Sequence, residues 1–106
     1  MKSEILIIDD NADIRYLIYN ILEENGYDVR SAANYNQAIT EIKSKLPNLA
    51  IVDIKLDKGD KDGIDILKLI MKIDKNLPVI MISGHANVQV AVEAIRIGAY
   101  EFVEKP

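Results

Sequence analysis

The sequence predicts an α/β domain built as a doubly wound, five-stranded parallel sheet. Three observations carry that prediction. Short apolar runs of strand length alternate with segments of helical periodicity along the whole chain. The first run, Ile5 to Ile8, is apolar throughout rather than alternating, the mark of a strand covered on both faces. Glycine, proline or capping residues stand where the intervening helices must begin or stop. Right-handed crossovers between parallel strands then place helices on both faces of the sheet.

Each element is legible in order. Ile5 to Ile8 form an apolar run that stops abruptly at Asp9 and Asp10. Ile14, Leu17, Ile18, Ile21 and Leu22 recur at helical spacing, and Gly26 follows where a left-handed C-terminal cap is needed. Tyr27 to Ala32 reads as the second strand. Asn34 with Gln37 resembles a capping box opening a helix through Ala38, Ile39 and Ile42, and Pro47 marks its end. Leu49 to Val52 is the third strand, stopping at Asp53. After a polar loop, Ile66, Leu67, Ile70 and Met71 mark the third helix. Val79 to Ile82 is the fourth strand, stopping at Ser83. Val88, Ala91, Val92 and Ile95 line one face of a fourth helix before Gly98, and Tyr100 to Val103 forms the fifth strand ahead of Lys105.

The 106 residues suit one compact domain. With 13 basic against 17 acidic side chains, the chain has no general attraction for nucleic acid or anionic lipid, and direct binding to either is not expected. The absence of cysteine excludes thiol catalysis, a thiolate metal site and a disulfide framework. No basic leader or membrane-length apolar run is present, so a cytoplasmic location is expected.

Chemistry collects at the strand ends. In open sheets of this kind ligands bind at the C-terminal edge, near the point where strand order reverses. Asp9 and Asp10, Asp53, Ser83 and Lys105 each follow a different strand and should converge there. Carboxylates so grouped repel one another unless a cation or protons compensate. An all-oxygen set without His or Cys suits Mg²⁺ or Mn²⁺ better than zinc. Such a metal could hold a phosphoryl donor in line with Asp53 while Ser83 and Lys105 contact the remaining oxygens.

The Asp9-Asp10 pair, Asp53 after an apolar strand, Asp62-Gly63 before the third helix, Ser83-Gly84 after the fourth strand and the closing Lys105-Pro106 together resemble the response regulator receiver family of two-component systems. The stretch from Met81 to Ala86 and that from Ala94 to Pro106 are most similar to the NtrC and NtrX nitrogen-regulation group. The resemblance covers the whole chain and implies a flavodoxin-like receiver fold with strand order 2-1-3-4-5. It also implies phosphoryl transfer from a sensor histidine kinase to Asp53, and a conformational switch acting on an output domain. In that group the output domain is a sigma-54-dependent transcriptional activator. Metal ligands implied are Asp10, Asp53 and the backbone carbonyl of Lys55, with Asp9 acting largely through water. Ser83 would follow the phosphoryl group, the backbone of Ile54 and Gly84 would bind it, Phe102 would switch rotamer, and Lys105 would pair with the phosphate. Lys55 and His85 would tune dephosphorylation, and the Lys105-Pro106 bond would be cis. The implied role is signalling rather than enzymatic, and activation as a homodimer is compatible with it.

Two features depart from the family pattern. The segment Leu56-Asp57-Lys58-Gly59-Asp60-Lys61 is longer than usual and lacks its proline. The family also continues into a fifth helix, so a domain truncated before that helix is expected here.

Simpler readings exist for individual residues. Strand-end aspartates often only cap helices, and Asp57, Asp60 and Asp62 suit a solvated turn. His85 reads as an exposed loop residue. Among rival functions, a nucleotide or flavin module lacks its phosphate cradle after the first strand, where acids stand instead. A haloacid-dehalogenase-type hydrolase would need an acid where Lys55 stands. The remaining alternative is a receiver-like interaction domain that works without phosphorylation.

Overall fold

Parallel pairing of the apolar runs organises the computed structural model, which describes residues 2–56, 62–84 and 88–105. Strand β1 (Glu4–Ile8) pairs with both β2 (Asp28–Ala32) and β3 (Leu49–Asp53). Beyond them lie β4 (Val79–Ser83) and β5 (Glu101–Glu104). The order is β2-β1-β3-β4-β5, so it reverses between β1 and β3. Strand β5 is shifted one residue from the expected span because Tyr100 stays outside it, largely exposed, while Glu104 joins the ladder opposite Ser83.

Among the described residues four helices connect the strands: α1 (Ala12–Glu24), α2 (Tyr35–Ser44), α3 (Gly63–Ile73) and α4 (Val88–Ile97). Helix α1 is capped by Asn11, whose side chain accepts from the N–H groups of Asp13 and Ile14, and Gly26 follows its end with φ +90°. The α2 capping box is displaced by one residue. Asn34 accepts from Gln37 N as expected, but Gln37 Oε1 accepts from Ala33 N. Asp62, expected in a solvated turn, is instead the N-cap of α3 in a reciprocal box with Asp65. A carboxylate at each of those positions satisfies two otherwise orphaned N–H groups.

One sheet face carries Leu6, Ile8, Ala50, Val52, Val79 and Met81, packed under α2, α3 and α4 through Ala38, Ile42, Ile66, Leu67, Ile70 and Ala94. Each fully buried aliphatic side chain here contributes about 1.5–3 kcal/mol. Helix α4 presents Val90, Ala94 and Ile97 to this core. The face anticipated from Val88, Val92 and Ile95 is the exposed one. The helix is apolar nearly all round, so periodicity alone did not distinguish its two sides.

On the other face α1 is the one helix over the sheet among the described residues. Ile14, Leu17, Ile18 and Ile21 flank an apolar hollow of about 260 Å³, floored by Ile51, Ile80, Ile82 and Val103. A second hollow of about 370 Å³ continues it toward Ser3, Tyr27 and Asn48. No residue of α1 is fully buried, and no helix follows β5 among the described residues. Apolar area left in water forgoes roughly 25 cal/mol per Å². An amphipathic helix appended after Pro106 and able to lie in this trough is therefore expected to raise the melting temperature by several degrees and to suppress binding of an apolar-surface dye. Identical melts and dye binding would show that the trough needs no cover.

Candidate functional site

The strand ends meet as the topology requires. Asp9 continues the β1 ladder, its N–H donating to the Ala32 carbonyl, and Asp53 closes β3 opposite Ile82. Carboxylate oxygens of Asp9, Asp10 and Asp53 all lie within 4.8 Å of one another. Asp9 is fully enclosed and Asp53 is 4% exposed, whereas Asp10 is partly open to solvent. Lys105 Nζ bridges the two buried acids, 2.8 Å from Asp9 Oδ2 and 3.1 Å from Asp53 Oδ2. The Lys105 N–H donates to the Ser83 carbonyl at 2.7 Å, so the β4–β5 ladder itself brings the lysine to the acids.

The electrostatics follow from crowding and burial. Burial pushes the Asp53 carboxyl up from the ordinary 3.8 to about 6; the charge of Asp9 adds to the rise, and the hydrogen bond from Lys105 opposes it. The group remains mostly ionised at neutral pH and so can act as a nucleophile. Burial pulls the Lys105 ammonium down, but its contacts with Asp9 and Asp53 outweigh this and hold it above its usual range.

The donor set fits a divalent metal. Three carboxylates supply oxygen only, and two of them, Asp9 and Asp53, share the one Lys105 ammonium, so negative charge at the cluster exceeds the positive charge that meets it. A small hard cation such as Mg²⁺ suits such a set.

Asp9, Asp10, Asp53 and Lys105 therefore converge. Ser83 ends β4 beside them, 8% exposed, and Gly84 follows on the surface. The Lys55 side chain is exposed, and its N–H lies 3.4 Å from Asp53 Oδ1. The Ile54 N–H does not meet the phosphoryl-binding role expected of it, because it donates to the Ile82 carbonyl at 2.9 Å and belongs to the ladder. Phe102 pairs across the sheet with Met81 and packs on the core shared with α3 and α4. His85, Asp57, Asp60 and the Lys105-Pro106 bond lie outside the described residues.

Two contributors were not assigned a role from the sequence. Gly63 sets the first turn of α3 directly on the acceptor strand. A Cβ there would run into the Asp53 carbonyl oxygen, and the Gly63 N–H donates to the Ile54 carbonyl at 2.9 Å. Arg15 donates from Nη1 to the Asp9 carbonyl at 2.7 Å. Its signal was available: a cation in the first turn of a helix, where the dipole disfavours one.

Comparisons with known proteins agree with this geometry. The family described as response regulator receiver domain matches residues 5–106. The nitrogen assimilation regulatory protein NtrX of Azorhizobium caulinodans is 45% identical over all of this chain, which spans 23% of that protein's length. The crystal structure of the receiver domain of NtrX from Brucella abortus has a TM-score of 0.90 at 45% identity, covering 96% of this chain and 85% of that one. A Burkholderia pseudomallei response regulator, solved with a phosphorylated aspartic acid, a calcium ion and citrate, also has a TM-score of 0.90, at 27% identity over 99% of this chain and 61% of its own.

Because the folded state raises the Asp53 pKa, it binds a proton more tightly than the unfolded chain between the ordinary 3.8 and about 6. The metal-free protein should lose stability as pH rises through that window. Asp53→Asn is expected to melt several degrees higher than wild type at pH 7.5 without metal, with the difference shrinking toward pH 4. A difference independent of pH would contradict the burial-driven shift. Separately, Gly63→Ala should destabilise the fold by about 2 kcal/mol or more in denaturant melts, since backbone must move to admit the methyl group.

Proposed function

The chain belongs to the response regulator receiver family, and from that premise we propose that it accepts a phosphoryl group on Asp53 from a sensor histidine kinase in a Mg²⁺- or Mn²⁺-dependent reaction. The observation that carries the proposal is the convergence of Asp9, Asp10 and Asp53 under the Lys105 ammonium. An Asp53 carboxylate oxygen attacks phosphorus, the P–N bond of the phosphohistidine breaks, the imidazole leaves, and an acyl phosphate forms. Lys105 contacts Asp53 Oδ2 and is proposed to pair with the transferred oxygens. Ser83 supplies a hydroxyl from the neighbouring strand end, and the N–H groups of Lys55 and Gly84 are proposed to bind phosphoryl oxygens. When bound, the metal would be held by Asp10, Asp53 and the Lys55 carbonyl, with Asp9 largely through water, and supplies charge neutralisation.

The product adds charge and strong acceptors at the loops above the sheet. Displacement of Ser83 toward the phosphoryl group, with a rotamer change at Phe102, would carry the signal along β4 and β5 to an output domain, proposed to be a sigma-54-dependent activator. Residues 1–106 act as a signalling domain that assists its own phosphorylation and dephosphorylation rather than turning over a separate substrate. Lys55, exposed two residues beyond the acceptor, and His85 are proposed to shield the acyl phosphate from water. No helix among the described residues is long and apolar enough to cross a membrane.

Incubation with acetyl phosphate and Mg²⁺ should add one phosphoryl group by intact mass. Asp53→Asn, or chelation of the metal, should abolish it. A phosphoryl adduct that persists in Asp53→Asn would overturn the assignment, and none in wild type would favour a phosphorylation-independent interaction domain.

A further inference from the structure

The acidic turn has a support outside the cluster itself. Arg15 stands in the first turn of α1, where unpaired backbone N–H groups make a cation unfavourable. It is nonetheless partly buried and spends its guanidinium on a backbone oxygen, the Asp9 carbonyl at 2.7 Å. Two further ties act on the same turn. The Asp9 N–H donates to Ala32 at 3.1 Å, and the Asn11 N–H donates to Asp9 Oδ1 at 2.8 Å. Asp10 lies between these anchored residues, and its carboxylate is the partly exposed member of the cluster.

We propose that Arg15 is a positioning residue of the metal site: its hydrogen bond to the Asp9 carbonyl fixes the Asp9–Asn11 turn so that the Asp10 carboxylate stays within the cluster formed with Asp9 and Asp53. The proposal rests on the metal-dependent reading of that cluster. Arg15 acts in two ways of opposite sign. As a nearby cation it repels a divalent ion, so its removal would tighten binding. As a clamp it holds the ligands together, so its removal loosens them and weakens binding. The clamp is a short, charge-assisted hydrogen bond that acts directly on the turn carrying Asp9 and Asp10, whereas the guanidinium charge is turned onto the Asp9 carbonyl rather than toward the carboxylate oxygens. The clamp therefore dominates.

The test measures Mn²⁺ binding, by loss of the free-ion electron paramagnetic resonance signal and without a phosphodonor, for wild type, Arg15→Met and Arg15→Lys. Arg15→Met should bind roughly tenfold more weakly, the scale on which supports of metal ligands act. Arg15→Lys, which keeps the charge and a shorter donor, should fall between. The metal-free melting temperature should fall as well, because the partly buried Asp9 carbonyl loses a charged donor. In phosphorylation by acetyl phosphate, the Mg²⁺ concentration giving half the maximal rate should rise by a larger factor than the maximal rate falls. Affinity in Arg15→Met equal to or tighter than wild type would overturn the clamp. If Arg15→Met fails to fold, Arg15→Lys decides by the same criterion, since a retained charge with unchanged affinity would also exclude it. Failure of wild type to bind Mn²⁺ is a distinct outcome that overturns the metal reading and this proposal with it.

Discussion

Three carboxylates crowded at one sheet edge, two of them enclosed, are the constraint on which the rest of the structure depends. Like charges so close, removed from water, oppose folding unless something positive stands among them. In the metal-free chain that role falls to Lys105, which touches Asp9 and Asp53 together. The lysine comes from the far end of the sequence, and only the β4–β5 ladder and its bond from Lys105 to the Ser83 carbonyl bring it there. Formation of the site and completion of the sheet are therefore one event. A metal at the acids would compete with Lys105 for them and leave the ammonium available to a phosphoryl group.

The rest of the fold defends that edge from below and from the sides. Gly63 lets α3 begin against the Asp53 backbone without a side chain between them, and Asp62 and Asp65 cap that helix at its point of contact. Away from the site, Arg30 ties the end of α2 to β1, reaching Glu4 and Glu41 and the carbonyls of Glu41 and Lys45. The two faces of the sheet are unequal. Among the described residues α2, α3 and α4 pack on one, while α1 borders the apolar trough on the other. The half of the core that is sealed is the half that holds α3 and Phe102.

Most of the fold was legible because Ile5 to Ile8, Leu49 to Val52 and Val79 to Ile82 are uninterrupted apolar runs that each stop at a polar residue, and the sheet order matched the one implied by family resemblance. What escaped the sequence did so for specific physical reasons. The buried side of α4 was misread because Val88, Val92 and Ile95 are as apolar as Val90, Ala94 and Ile97, and tertiary packing decided between them. Asp62 was read as a turn because its partner is another aspartate rather than the glutamate or glutamine of the common capping box. Asp9, Asp10, Asp53, Ser83 and Lys105 were visible as strand-end residues, but no spacing could show that one lysine contacts two acids. The Ile54 N–H was misassigned because its bond in the ladder depends on strand register. Arg15 was overlooked because its one signal, a cation in the first turn of a helix, does not reveal that its partner is the Asp9 backbone carbonyl.

The proposed function requires the acidic edge to form an acyl phosphate on one carboxylate alone. Borohydride reduction converts an aspartyl phosphate to homoserine, and peptide sequencing then locates it. After treatment with acetyl phosphate and Mg²⁺, homoserine should appear at position 53 alone, and nowhere when the metal is withheld. Homoserine at position 9 or 10, or at 53 without any divalent metal, would contradict it.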